Sequence, residues 1–215
     1  MDLSAATILI PVFGVFIPAL MLPGPDFVGV VRASITRGTR AGLLTAAGVT
    51  TGLGFYATLN IVGLAAILTQ FHWLTVAVRV LGGCYLIYLG ARLALTKATP
   101  VEINTDGYLI AIGAGRSFLL GLGITLTNPK AVVLFSAAFA PAITQQTPAW
   151  LTVVMVGLVV LSAGIWYLLV ALFMSSGPVV RRFRTAQHWI ERAAGVCFVT
   201  IGGRILANAR SSTAT

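Results

Sequence analysis

At 215 residues the chain has the length of one domain or two small ones, yet 58% of it is hydrophobic and only 9% charged, against roughly 45–50% and about 25% in soluble domains. A mean hydropathy of +0.96 excludes a soluble globule, which would lack the polar groups to cover itself, and marks an integral membrane protein. The net charge of +9 would suggest nucleic acid in a soluble protein, but the basic residues fall mostly between apolar runs, so they report topology and no nucleic-acid partner is expected.

A helix needs about 20 apolar residues to cross the hydrocarbon, and the chain divides into six such stretches. The first runs over about 3–31. It is no cleavable signal peptide, because Asp2 replaces a basic leader and the apolar run continues past the usual length. It holds Pro11, Pro18, Pro23 and Pro25. Each proline lacks an N–H and clashes with the carbonyl four residues back. The carbonyls of Thr7, Gly14, Ala19 and Met21 would therefore lose their donors. Pro23-Gly24-Pro25 predicts a break, with Asp26 in the first turn of a restarted helix, where a carboxylate is favoured.

A loop with Arg32, Arg37 and Arg40 follows. The second span covers about 41–69. Its Gly42, Gly48, Gly52 and Gly54 permit close helix approach. Its Asn60 is either interhelical glue or a ligand contact, and Tyr56 is a packing or cavity residue. The loop around Gln70–His72 has no Lys or Arg. The third span, about 73–95, carries Arg79 near one end, where it would snorkel to the interface. A linker, 97–116, separates it from the fourth span, about 117–140.

In that fourth span Pro129 would free the carbonyl of Thr125, Asn128 can bond exposed backbone, and Lys130 lies deep in apolar sequence. A Lys or Asp at a helix centre costs roughly 2.5–3.5 kcal/mol on the insertion scale, and such residues usually pair, face a cavity or carry function. The loop 141–149 is again free of Lys and Arg. The fifth span, about 149–174, holds Trp166 and Tyr167. A loop with Arg181, Arg182 and Arg184 leads to the sixth, about 188–207, which opens on the local charge pair Glu191-Arg192. Trp73, Trp150 and Trp189 lie near span ends, where indoles anchor at headgroups. The stretches are too long and too uniformly apolar for a β-barrel. The two cysteines, Cys84 and Cys197, lie within apolar segments with no CxxC, which argues against a disulfide framework, a metal site or any cofactor.

The basic loops are the first, third and fifth, so the positive-inside rule places them in the cytoplasm and both termini outside. Arg204 and Arg210 run against an outside C-terminus. The chain also matches itself. Gly83 and Leu89-Gly90-Ala91-Arg92 in span 3 align with Gly195 and Ile201-Gly202-Gly203-Arg204 in span 6. Gly24-Pro25-Asp26 aligns more weakly with Asn128-Pro129-Lys130. Spans 2 and 5 show no defensible match. An odd number of spans per repeat inverts the second half, a plan common among secondary transporters. The expected fold is an all-α membrane protein of six helices, with repeats over 1–96 and 117–208, a linker over 97–116 and a tail over 209–215. Helices 1 and 4 are broken.

One carboxylate and one ammonium at matching breaks would frame a zwitterion. Lys130 would hold a carboxylate, and Asp26 with the freed carbonyls would hold an ammonium. Protonation of Asp26 would couple release to a proton gradient. The site residues are then Asp26 and Lys130, with Pro23, Gly24, Pro25, Asn128 and Pro129 forming the breaks and Asn60 alongside. A plain Asp26–Lys130 salt bridge locking two helices is the structural alternative. A membrane thiol–electron carrier of the CcdA type shares a small six-span plan, but it needs exchanging thiols where this chain has Asp26 and Lys130. A non-transporting scaffold leaves the buried charges unexplained.

These residues resemble the LysE/RhtB family of bacterial amino-acid exporters. The likeness rests on Pro23-Gly24-Pro25-Asp26, the arginine-bearing stretch Arg32…Arg37-Gly38…Arg40-Ala41-Gly42, Gly82-Gly83-Cys84-Tyr85-Leu86-Ile87-Tyr88-Leu89-Gly90, and Thr127-Asn128-Pro129-Lys130-Ala131. It spans nearly the whole chain. It implies a carrier in the bacterial plasma (inner) membrane, no enzyme, exporting amino acids or related solutes by proton antiport. The few acidic residues within the spans lean toward neutral or apolar amino acids. Small six-span carriers often dimerise, so a homodimer is an open expectation beside the lipid bilayer itself.

Overall fold

The computed structural model describes residues 3–63, 72–95, 113–139, 147–173 and 177–211. These form α1 (Leu3–Met21), α2 (Pro25–Arg37), α3 (Thr39–Thr58, continued by a π-helical turn Leu59–Gly63), α4 (His72–Leu95), α5 (Ala114–Leu126), α6 (Pro129–Phe139), α7 (Ala149–Phe173) and α8 (Gly177–Ser211). No strand occurs among the described residues.

Two helices, Thr39–Ile61 and Ala149–Phe173, are long and apolar enough to cross a bilayer. Ala5–Met21 and Pro25–Arg37 reach that length and apolarity only together, as a pair bent by 42° at the break, which has the form of a broken span or a re-entrant loop. Val80–Leu95 and Ala114–Leu126 are apolar but shorter. The described residues are thus almost wholly helical, with the apolar helices expected of a membrane protein. Its outer face is as apolar as its core: on α7, Val153, Leu161, Ile165 and Phe173 are exposed, while Met155, Val159, Ala163 and Tyr167 are buried. That inversion suits a lipid solvent, since a helix hydrophobic all round is a buried or membrane helix.

Two expected loops are helical instead. Arg32 and Arg37 belong to α2 and Arg40 to α3, with Gly38 alone between them at φ 85°, the left-handed region that glycine adopts freely. Likewise Arg181, Arg182 and Arg184 lie inside α8, which begins at Gly177 rather than near 188. Arginine and glutamine are good helix formers, so basic composition marks a membrane boundary without ending a helix. The loop around 70, most of the 97–116 linker and most of the loop 141–149 lie outside the described residues.

Glycines set the tightest contacts. The carbonyl of Phe118 and the amide of Leu122 on α5 press on Gly48 of α3, and the Thr45 carbonyl presses on Gly121 of α5. Thr45 Oγ1 donates to the Ser117 carbonyl at 3.2 Å across the same seam. Between α4 and α8, a Cβ on Gly90 would stand 2.6 Å from the Gly195 carbonyl, and one on Gly202 2.8 Å from the Gly83 carbonyl. Small residues that let backbones touch are the usual device where water does not drive helices together.

The interior is walled by aromatics. Phe135 stacks on Phe139 with ring centres 5.1 Å apart and meets Phe16 at 5.6 Å and Tyr56 at 6.2 Å. These rings join α1, α3 and α6 just beside the two breaks.

Candidate functional site

The breaks lie side by side. Gly24 caps α2 in an extended conformation (φ −153°), with Pro25 at the first helical position and Asp26 in the first turn. Proline suits that position because its missing N–H is an orphan there anyway. Asn128 caps α6: its Oδ1 accepts from the Lys130 amide at 3.0 Å, the bond a capping asparagine makes to an otherwise orphaned N–H. Its Nδ2 donates to Asp26 Oδ2 at 3.1 Å. One residue therefore caps one broken span and holds the carboxylate of the other.

Asp26 is 9% exposed. Its second oxygen accepts from Thr125 Oγ1 at 3.0 Å. Thr125 was missed in the sequence because threonine is common in membrane helices and only its partner makes it polar machinery. Its place is cleared by Gly52, where a Cβ would come within 2.8 Å of Thr125 Cβ.

Lys130 Nζ donates to the Ala19 carbonyl at 3.5 Å, the carbonyl that Pro23 deprives of its helical donor. The ammonium thus meets the C-terminal end of α1, where a cation is favoured. Gly24 is packed against it, an added Cβ lying 3.5 Å from Nζ. Two other proline-freed carbonyls are also served. Cys197 Sγ donates to Gly14 O at 3.0 Å, and the Asn128 amide to Thr125 O at 3.0 Å. Cys197 is the second residue that sequence reasoning passed over. The signal lay in Pro18, but no spacing could say which helix supplies the donor.

Asp26 and Lys130 line one cavity, with Gly24, Asn128, Phe16, Leu20, Leu53, Phe135 and Tyr167. Its volume is about 30 Å³. A water needs roughly 10–15 Å³ of such space, so one or two waters fit. Among the described residues the hydrogen bonds of Asp26 and Lys130 go to other groups, not to each other.

Other expected site residues lie apart. Asn60 is on the π-helical turn, where its Nδ2 donates to the Tyr56 carbonyl at 2.9 Å and its Oδ1 accepts from Ser136 Oγ at 3.1 Å. That ties α3 to α6. Tyr56 donates to the Leu126 carbonyl at 2.7 Å, at the last turn before the second break. Pro25 lines a separate groove between α2 and α5. Pro23 forms the break without lining the cavity, and Pro129 opens α6. Tyr167 does line it, from a place buried in the core.

The sequence pattern of the family described as LysE type translocator matches residues 17–209. The chain is 30% identical to a threonine efflux protein of Salmonella typhi over 87% of this chain and 92% of that protein. It is 28% identical to a threonine efflux protein of Escherichia coli K12, with the same coverage. A leucine efflux protein of Salmonella choleraesuis is 32% identical over 60% of each chain. No solved structure matches at a significant level.

Proposed function

We propose that this chain, which belongs to the LysE type translocator family, is a secondary carrier that exports small neutral amino acids across the bacterial inner membrane in exchange for protons. Family membership makes it a translocator and no enzyme. The observation that carries the reading is a lone carboxylate and a lone ammonium lining one cavity where two broken helices meet. Similarity to threonine and leucine efflux proteins supports an amino acid as cargo.

In this mechanism the substrate carboxylate binds Lys130 and its ammonium binds Asp26. Thr125 and Asn128 fix the Asp26 oxygens so that the carboxylate is oriented before substrate arrives. The apolar wall of Phe16, Leu20, Leu53 and Phe135 suits an aliphatic side chain better than a charged one. A cavity of about 30 Å³ is too small for an amino acid, so this is a closed state, and loading requires the two broken spans to part. A proton taken up by Asp26 weakens its hold on the substrate ammonium, and that exchange couples the two fluxes.

Six spans in two inverted halves, 1–96 and 117–208, supply the movement. Two sets of contacts support the halves. Lys130 packs on Gly24 as Asn128 bonds Asp26, and Gly83 meets Gly202 as Gly90 meets Gly195. Exchanging the matched residues of the two halves turns each contact into its partner. In this reading both termini face outward, and the carrier works as a homodimer or monomer within the bilayer. The thiol-carrier alternative loses ground: Cys84 is exposed on α4, and Cys197 bonds a backbone carbonyl.

The test is counterflow of radiolabelled amino acids in proteoliposomes under an imposed pH gradient, with wild type, Asp26→Asn and Lys130→Ala in parallel. Gradient-dependent uptake of a neutral amino acid that both variants lose is the expected result. Variants that transport as well as wild type would make the charges structural. Folded wild type that moves no amino acid would sink the cargo assignment.

A further inference from the structure

A second open space lies outside the charged cavity, in a groove of roughly 610 Å³ between α2 and α5. It is on the far side of α2. Phe27, Val30, Val31 and Ser34 are buried in the core, and helical geometry puts Pro25, Val28, Gly29 and Arg32 on the opposite face. Leu120 and Ile124 of α5 complete the apolar floor. The neighbouring Leu119 is 61% exposed, so the groove opens outward, where lipid would lie, and away from Asp26.

Its two ends differ. Pro25, at the break, closes one, and Arg32 and Arg37 line the other. Arg37 Nε is buried with no hydrogen-bond partner, and an orphaned donor of that kind is costly in apolar surroundings. The helices run antiparallel, as the contacts Asp26–Thr125 and Gly29–Ile124 require. Arg116, at the start of α5, therefore lies toward the same end, as does Arg40 in the first turn of α3. The acids among the described residues are Asp26 and Glu191. The first faces the cavity and the second bonds Gln187 on α8 at 2.8 Å. Neither lines the groove.

From Pro25 to Arg37 the helix rises about 18 Å at 1.5 Å per residue. Half of a 30 Å hydrocarbon core is about 15 Å. The groove is thus one leaflet deep, apolar along its length and doubly cationic at its mouth.

We propose that this groove binds an anionic phospholipid. Its phosphate-bearing headgroup is held by Arg32 and Arg37, and an acyl chain lies on Val28, Gly29, Leu120 and Ile124. Guanidinium groups match phosphate oxygens in paired hydrogen bonds, and basic pockets between membrane helices favour anionic headgroups. The bound lipid would supply the acceptor that Arg37 Nε lacks. It would also lean on the helix that begins at the substrate-side break, so lipid charge would bias how α2 moves.

The test needs no transport. The full chain is reconstituted in nanodiscs holding equal amounts of phosphatidylglycerol and phosphatidylcholine with identical acyl chains, and retained lipid is counted by native mass spectrometry. Wild type is expected to enrich phosphatidylglycerol about tenfold, as charge-assisted bonds allow. Joint Arg32→Gln and Arg37→Gln substitution should remove the enrichment, while Arg204→Gln keeps it. If the double variant does not fold, Arg32→Gln alone, at an exposed site, should still reduce enrichment. Equal retention of both lipids by wild type would overturn the proposal, as would enrichment that survives the double substitution. Displacement of the lipid by millimolar inorganic phosphate would make the ligand a free anion and overturn it too. Recovery of lipid-free dimers would give the groove to a second copy of the chain.

Discussion

The two helix breaks are capped by different means. At the first, Gly24 caps α2 with no side-chain bond, and the charge that follows, Asp26, suits the positive end of its own helix. At the second, Asn128 caps α6 through its side chain, and the charge that follows, Lys130, is wrong for the helix it starts. The ammonium therefore leaves its own helix and reaches the carbonyl end of α1, while Asn128 reaches across to Asp26. Each break completes the other. A pair of identical breaks would have needed no such exchange, and its charges would have had no common cavity.

Removing the charges breaks that exchange most severely. Lys130→Ala and Asp26→Asn should each lower transport about ten- to hundredfold, as loss of a charge-assisted hydrogen bond worth roughly 1.5–3 kcal/mol implies. Initial rates in proteoliposomes measure this, with matched circular dichroism to show the fold is kept.

A region with no polar exchange should respond in stability rather than transport. A Cβ on Gly195 would stand 2.7 Å from the Gly90 carbonyl, and backbone cannot step aside as a side chain can. Gly195→Val should cost about 1–3 kcal/mol or more, visible as a lower melting temperature in detergent and a smaller folded yield.

The caps sharpen the comparison further. Asn128→Ala should lose about 1 kcal/mol from the helix end and also free one Asp26 oxygen, so substrate affinity falls along with stability. Gly24→Ala should be mild, since its extended backbone suits any residue and the neighbour is a flexible lysine end 3.5 Å away. Equal effects of the two on melting and on substrate affinity would show that the breaks are alike after all.

The smallest effect is expected at Cys197. Cys197→Ser replaces a weak S–H donor to Gly14 O with a hydroxyl. Stability should change by less than about 1 kcal/mol, with transport retained. Loss of transport in this variant would reopen the thiol-carrier reading.

Much of this was legible in the chain itself. Four prolines and a glycine in an apolar run announce a break, and the arithmetic of missing N–H groups named Gly14, Ala19 and Thr125 as carbonyls in need of partners. Asp26 and Lys130 were conspicuous because charge in apolar sequence is rare. Loop boundaries were not legible, because arginine continues a helix as readily as it marks an interface. Thr125 and Cys197 were hidden for a different reason: each is ordinary in its own helix, and its value lies in a backbone or carboxylate from another part of the chain.

The sequence by itself determined that the protein lives in a membrane, that its first and fourth apolar stretches are interrupted, and that an acid and a base stand at the interruptions. These follow from local chemistry, since apolar composition, proline and charge act wherever they are placed. Only the tertiary structure decided that the two interruptions meet, that Asn128 serves both, that Lys130 donates to the opposite span, and that the cavity between them is small. Those facts depend on how helices cross, and crossing is set by which small residues let backbones touch, a property of pairs of helices that no single stretch contains.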